Sequence, residues 1–120
     1  MKRLLIILTL LSLIVLPVYA GEWCRPGDEE TASAAITAKQ GLFHGIAVIT
    51  DATNAVTVSI YDNATAASGR ELIPTWTVTT SATDRIQTYS ISPPVPFYNG
   101  CYVSATTSGT VTYMVYYESN

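Results

Sequence analysis

The chain predicts an all-β fold: a single antiparallel β-sandwich, or a small jelly-roll-like barrel, of about seven strands behind an N-terminal export signal. Three observations carry this reading. Apolar and polar residues alternate with a period of two, not the helical period of about 3.6, along most of the chain. Val, Thr and Tyr, which suit a pleated surface, dominate the alternating runs. Clusters of Asp, Asn, Gly, Ser and Pro separate those runs at short intervals.

Residues 1–20 read as a signal peptide. Lys2 and Arg3 give a positive start, the run 4–16 is apolar except for Thr9 and Ser12, and Val18-Tyr19-Ala20 offers the small residues behind which a signal peptidase cuts. Pro17 breaks a helix just before that point, and the run falls short of the roughly 20 apolar residues that a spanning helix requires. No stable membrane insertion is therefore expected after cleavage, and the product is expected in the periplasm, at the cell surface or outside the cell; the alternative is a segment retained as a membrane anchor. A lipoprotein signal would carry a small residue where Trp23 precedes Cys24.

Residues 21–31 form an acidic arm, and 32–120 form the β-domain. A weak run at 32–39 comes first, followed by 42–50. Asp51-Ala52-Thr53-Asn54 then suggests a hairpin into the next strand, where Val56, Val58 and Ile60 alternate with Thr57, Ser59 and Tyr61. A small-residue loop spans 62–69. Leu72, Trp76 and Val78 oppose Ile73, Thr75, Thr77 and Thr79, with Pro74 marking an edge or a bulge. After the loop 80–84, Ser92-Pro93-Pro94-Val95-Pro96 is an extended connection that cannot supply a full ladder. Thr107-Ser108-Gly109 suggests a second hairpin, joining 101–106 to 110–118. There Val111, Tyr113, Val115 and Tyr117 share one face, and Thr112, Met114, Tyr116 and Glu118 the other.

Without Lys2 and Arg3 the chain keeps Arg25, Lys39, Arg70 and Arg85 against 9 acidic side chains. These four cations are scattered, so the basic stripe that nucleic acid requires is missing. Cys24 and Cys101 are the only thiols. An oxidising destination makes a disulfide between them the expectation, stabilising the fold by about 4 kcal/mol on the chain-entropy account. Free thiols or an intermolecular bond are the alternatives. Two cysteines and the single His44 fall short of a closed zinc site.

His44 lies between Phe43 and Gly45 with no nucleophile motif beside it, so a histidine on a sheet face or edge is expected and no catalytic residue is assigned. Asp51, Asn54, Asp62, Asn63 and Asp84 offer hard oxygens for calcium, but turn formation explains each without a metal, and no cofactor is expected. Tyrosine is in surplus. Tyr61, Tyr102 and Tyr116 fall on faces otherwise carrying Thr, Ser or Glu, and are the candidate binding surface for a protein partner or a carbohydrate.

The stretch 41–51, Gly-Leu-Phe-His-Gly-Ile-Ala-Val-Ile-Thr-Asp, and 54–63, Asn-Ala-Val-Thr-Val-Ser-Ile-Tyr-Asp-Asn, resemble a small β-sandwich module of bacteriophage-type virion and prophage-encoded proteins. Gly69 with Leu72-Ile73-Pro74, Pro93-Pro94-Val95-Pro96-Phe97, Gly100 with Tyr102-Val103 and the closing run 111–117 continue the resemblance over residues 36–117. It implies a decoration or fibre-associated structural role without catalytic residues, acting through self-assembly or a protein partner. Virion proteins usually lack an export signal, so residues 1–20 imply an exported host protein carrying the module or a phage product acting in the envelope. The alternative is a secreted recognition module that binds carbohydrate or a cell-surface protein through its tyrosines.

Overall fold

The computed structural model describes residues 24–79 and 81–120. The signal at 1–20 and the start of the acidic arm lie outside the described residues. No helix among the described residues is long and apolar enough to cross a membrane.

Among the described residues eight strands follow in order: β1 (Arg25–Pro26), β2 (Ala34–Thr37), β3 (Gly41–Thr50), β4 (Val56–Tyr61), β5 (Glu71–Val78), β6 (Ile86–Phe97), β7 (Cys101–Thr107) and β8 (Val111–Ser119). They form two four-stranded antiparallel sheets, the first ordered β1-β8-β3-β6 and the second β2-β7-β4-β5. The alternating side chains explain why the sheets face each other. Phe43, Ile46 and Val48 of β3 and Tyr113 and Val115 of β8 meet Val56, Val58 and Ile60 of β4 and Val103 of β7 in one buried cluster. The fold is all-β and sandwich-like, held by the apolar area that both inner faces remove from water.

β3 departs from strict alternation. Phe43 and Ile46 both face the core although two residues separate them, because the register shifts between Phe43 and Gly45 against both neighbours. A bulge at His44 restores the phase and turns the imidazole outward. β6 carries a larger irregularity: Ser90 pairs with Gly45 and Val95 with Phe43, so the ladder skips residues 91–94. The proline-rich stretch thus belongs to a strand while contributing only part of a ladder. Pro74 lies on the edge strand β5, beside register shifts in its pairing with β4.

Both expected hairpins are corners instead. β3 and β4 lie in different sheets, as do β7 and β8, so each loop carries the chain over the end of the core. The turn chemistry at 51–54 serves this purpose. One oxygen of Asp51 accepts the backbone N–H groups of Thr53 at 2.9 Å and Asn54 at 2.8 Å, and the other accepts that of Thr110 at 3.1 Å from the second corner. Ser108 Oγ donates to Asn54 Oδ1 at 2.9 Å, so the two corners brace each other.

The expected disulfide is corrected as well. Cys24 is exposed, Cys101 is buried, and both are free thiols. The pairing of β1 explains the separation, since it docks on β8 in the first sheet while Cys101 opens β7 in the second. Backbone pairing holds the arm in place of a sulfur bridge. Gly27 N–H donates to Val115 O at 2.7 Å, and Glu30 and Tyr113 exchange bonds of 2.9 and 2.8 Å. Burial, with the nearby Asp62 charge, pushes the Cys101 thiol up to about 12, which suppresses its reactive thiolate. A thiol reagent is therefore expected to label one cysteine in the native protein and two after unfolding, and a reductant to leave the melting temperature unchanged. A Cys24–Cys101 link found by mass spectrometry of non-reduced protein would contradict this.

Candidate functional site

The three candidate tyrosines do not form one surface. Tyr61 and Tyr102 stand directly opposite each other on β4 and β7, on the outer face of the second sheet. Their neighbours are hydroxyls: Ser59 pairs with Ser104, Thr57 with Thr77 and Thr106, and Ser59 Oγ lies 2.9 Å from Thr75 Oγ1. Tyr116 belongs to the first sheet, where it pairs with Gly45. All three are half-buried.

The outer face of the first sheet is more sculpted. Its rows, read across β8, β3 and β6, are Glu118-Leu42-Pro96, Tyr116-Gly45-Ser90, Met114-Ala47-Thr88 and Thr112-Ile49-Ile86. A shallow cleft of about 350 Å³ opens at the first row, with Leu42 and Pro96 among its apolar lining and Gln40, Tyr98 and Glu118 among its polar one. A second depression of about 340 Å³ lies over Cys24, His44, Gly45, Thr88, Ser90 and Tyr116. A smaller third one, of about 160 Å³, includes Ile49, Ile86, Met114 and Tyr116 in its lining. Ile49 is 41% and Ile86 60% exposed, and they pair directly across β3 and β6.

His44 and Glu118 separate the first two depressions. Nε2 lies 2.8 Å from Glu118 Oε1, an ion-pair contact when the ring is protonated, but no acceptor lies in line with Nε2 for a hydrogen bond. Burial and then the Glu118 charge raise the Cys24 thiol above its ordinary value. This corner therefore disfavours a thiolate nucleophile. Among the described residues no group of three or more His, Cys, Asp or Glu side chains is placed to hold a metal ion.

The calcium candidates separate too. Asp51 and Asn54 brace the corner where β3 ends and β8 begins, while Asp62 lies where β6 ends. The Asp51 carboxyl sits well below the ordinary range, held there first by the Asn54 side chain and then by the N–H groups of Asn54, Thr53 and Thr110. Asp62 is buried, and its Oδ1 accepts the backbone N–H of Tyr98 at 2.9 Å and of Asn99 at 2.7 Å. Arg70 donates to Asp62 Oδ2 at 3.0 Å and to Pro96 O, and its guanidinium lies 5.8 Å from the centre of the Tyr98 ring.

That network fixes a residue which sequence reasoning did not single out. Tyr98 is 64% exposed, although the turn that carries it is anchored on a buried carboxylate. The signal was present in the strand parity, since Phe97 points inward and the next residue must point out. Compared with family models, with curated proteins and with solved structures, the chain matches none.

Proposed function

We propose that the chain is an exported, non-enzymatic structural protein whose copies associate through the free edge of the first sheet. The reading includes cleavage after residue 20 and a role like that of a virion or surface display module, with the sandwich-like domain as the assembling unit. The observation that carries it is the state of β6. Among the described residues this strand pairs with β3 alone, and its segment 86–90 has no proline. The other edges are better protected: β1 has two residues, β2 has four, and β5 contains Pro74.

An edge of this kind presents unpaired N–H and C=O groups to another strand. Pairing β6 with its own copy about a two-fold axis would merge the two first sheets. It would also bring the exposed Ile86 and Ile49 of each copy toward those of the other, supplying apolar burial that backbone pairing alone lacks. A charge at the edge opposes both terms.

Sedimentation at micromolar concentration is expected to give a dimer or larger species. Ile86→Lys is expected to give a monomer with an unchanged circular dichroism spectrum, because that side chain meets solvent in the single chain. A monomeric wild-type protein, or an Ile86→Lys variant that associates as well as wild type, would refute the proposal.

A further inference from the structure

We propose that the outer face of the first sheet binds a neutral, linear polysaccharide, whose sugar rings rest on Tyr98 and Tyr116. The two larger depressions adjoin along the strand direction, one at Leu42 and the other at Gly45. Three residues of strand separate those levels, about 10 Å. Glu118 lines the first depression, His44 lines the second, and the two side chains touch at 2.8 Å, so the depressions lie end to end across this pair. Each is in the size range of ligand clefts.

The lining chemistry selects the ligand. A sugar ring has an apolar C–H face and a rim of hydroxyls, so it requires ring platforms beside neutral or acidic hydrogen-bonding groups. Tyr98 and Tyr116 supply the platforms. Gln40 and Glu118 reach the first depression, and Ser90 and His44 the second, which matches hydroxyls able both to donate and to accept. Neither depression has a Lys or Arg in its lining, and the sequence carries 9 acidic side chains. The Arg70 guanidinium beside Tyr98 is already engaged by Asp62, so neither lining offers a polyanionic glycan a cation to pair with.

Tyr98 is also preorganised. The Asp62 carboxylate holds its backbone N–H, and Arg70 stands over its ring, so little ordering remains to oppose binding. The expected carbohydrate surface of Tyr61, Tyr102 and Tyr116 is thereby redrawn. Tyr116 stays, Tyr98 joins it, and Tyr61 and Tyr102 face away on the other sheet. The inference is independent of association through β6, and the Ile86→Lys protein is expected to bind equally well.

The test is calorimetric titration of the purified protein with cellohexaose, xylohexaose, chitohexaose and, as an acidic comparison, hexagalacturonate. Saturable binding of at least one neutral hexasaccharide, and none of the acidic one, is expected. Tyr98→Ala and Tyr116→Ala are each expected to lower affinity about tenfold, and Glu118→Gln to lower it less, while Tyr61→Ala and Tyr102→Ala leave it unchanged. Tyr98 and Glu118 lie outside the core, and a thermal melt confirms that each variant is folded. No binding of any neutral probe would overturn the proposal. So would full affinity in folded Tyr98→Ala, or loss of binding in Tyr61→Ala or Tyr102→Ala alone.

Discussion

Asp62→Ala is expected to lower the stability of the domain by about 3 kcal/mol, which shifts the melting temperature by more than about 10 °C. The carboxylate is buried and occupied on both oxygens. Its removal leaves the N–H groups of Tyr98 and Asn99 without an acceptor, and unsatisfied donors of this kind cost about 1–3 kcal/mol each. Arg70 is half-exposed and turns to water, so the ion pair itself contributes little. Asp62→Asn, which keeps the acceptor oxygen for both N–H groups, is expected to retain most of the stability. Thermal denaturation of the three proteins checks this, and an alanine variant that melts with the wild type would refute it.

The same contacts give the domain an acid limit. Burial works against ionisation of Asp62, but the hydrogen bonds from Asn99, Arg70 and Tyr98 outweigh it and hold the carboxyl below its ordinary value. A carboxyl lowered in the folded state contributes stability that is complete above the unfolded value, about 3.9, and is lost as pH falls through the folded one. The melting temperature is thus expected to be level near neutrality and to fall below about pH 4, less steeply in Asp62→Asn. Asp51, lowered in the same direction, keeps the remaining slope in that variant.

Gly100→Ala is expected to cost about 3 kcal/mol at the same end of the domain. Gly100 has a φ of +122°, a backbone conformation that L side chains rarely adopt. A Cβ there would lie 2.6 Å from Thr37 O and 2.8 Å from Ala64 Cα. Both are backbone atoms, so the end of β2 and the loop after β4 would have to move. The cost should fall short of additivity with Asp62→Ala, because either change loosens the one turn that carries Asn99. Denaturant unfolding of the single and double variants measures this, and strictly additive losses would show that the turn is not a unit.

How far the sequence speaks depends on the range of each interaction. Val56, Val58 and Ile60, or Val111, Tyr113 and Val115, name their own inner face, because alternation is local and burial enforces it. Strand partners are not local. Asp51-Ala52-Thr53-Asn54 caps its own N–H groups equally well in a hairpin and in a corner, so its composition could not say which sheet β4 joins. Cys24 and Cys101 were legible as the only thiols, but their separation follows from β1 choosing β8, a pairing between distant segments. The tyrosines failed as a surface for the same reason. Parity placed Tyr61, Tyr102 and Tyr116 outward, and topology placed them on different sheets.

The position of β8 between β1 and β3 governs when this domain can form. During synthesis β1 and β3 emerge first, yet neither can take its place in a finished first sheet until residues 111–119 have left the ribosome. The second sheet and the β3–β6 pair use only residues before 111, so the first sheet is the last to be completed, by slow non-local pairing. A chain cut short before residue 111 would thus leave β1 without its partner strand and β3 paired along one side alone.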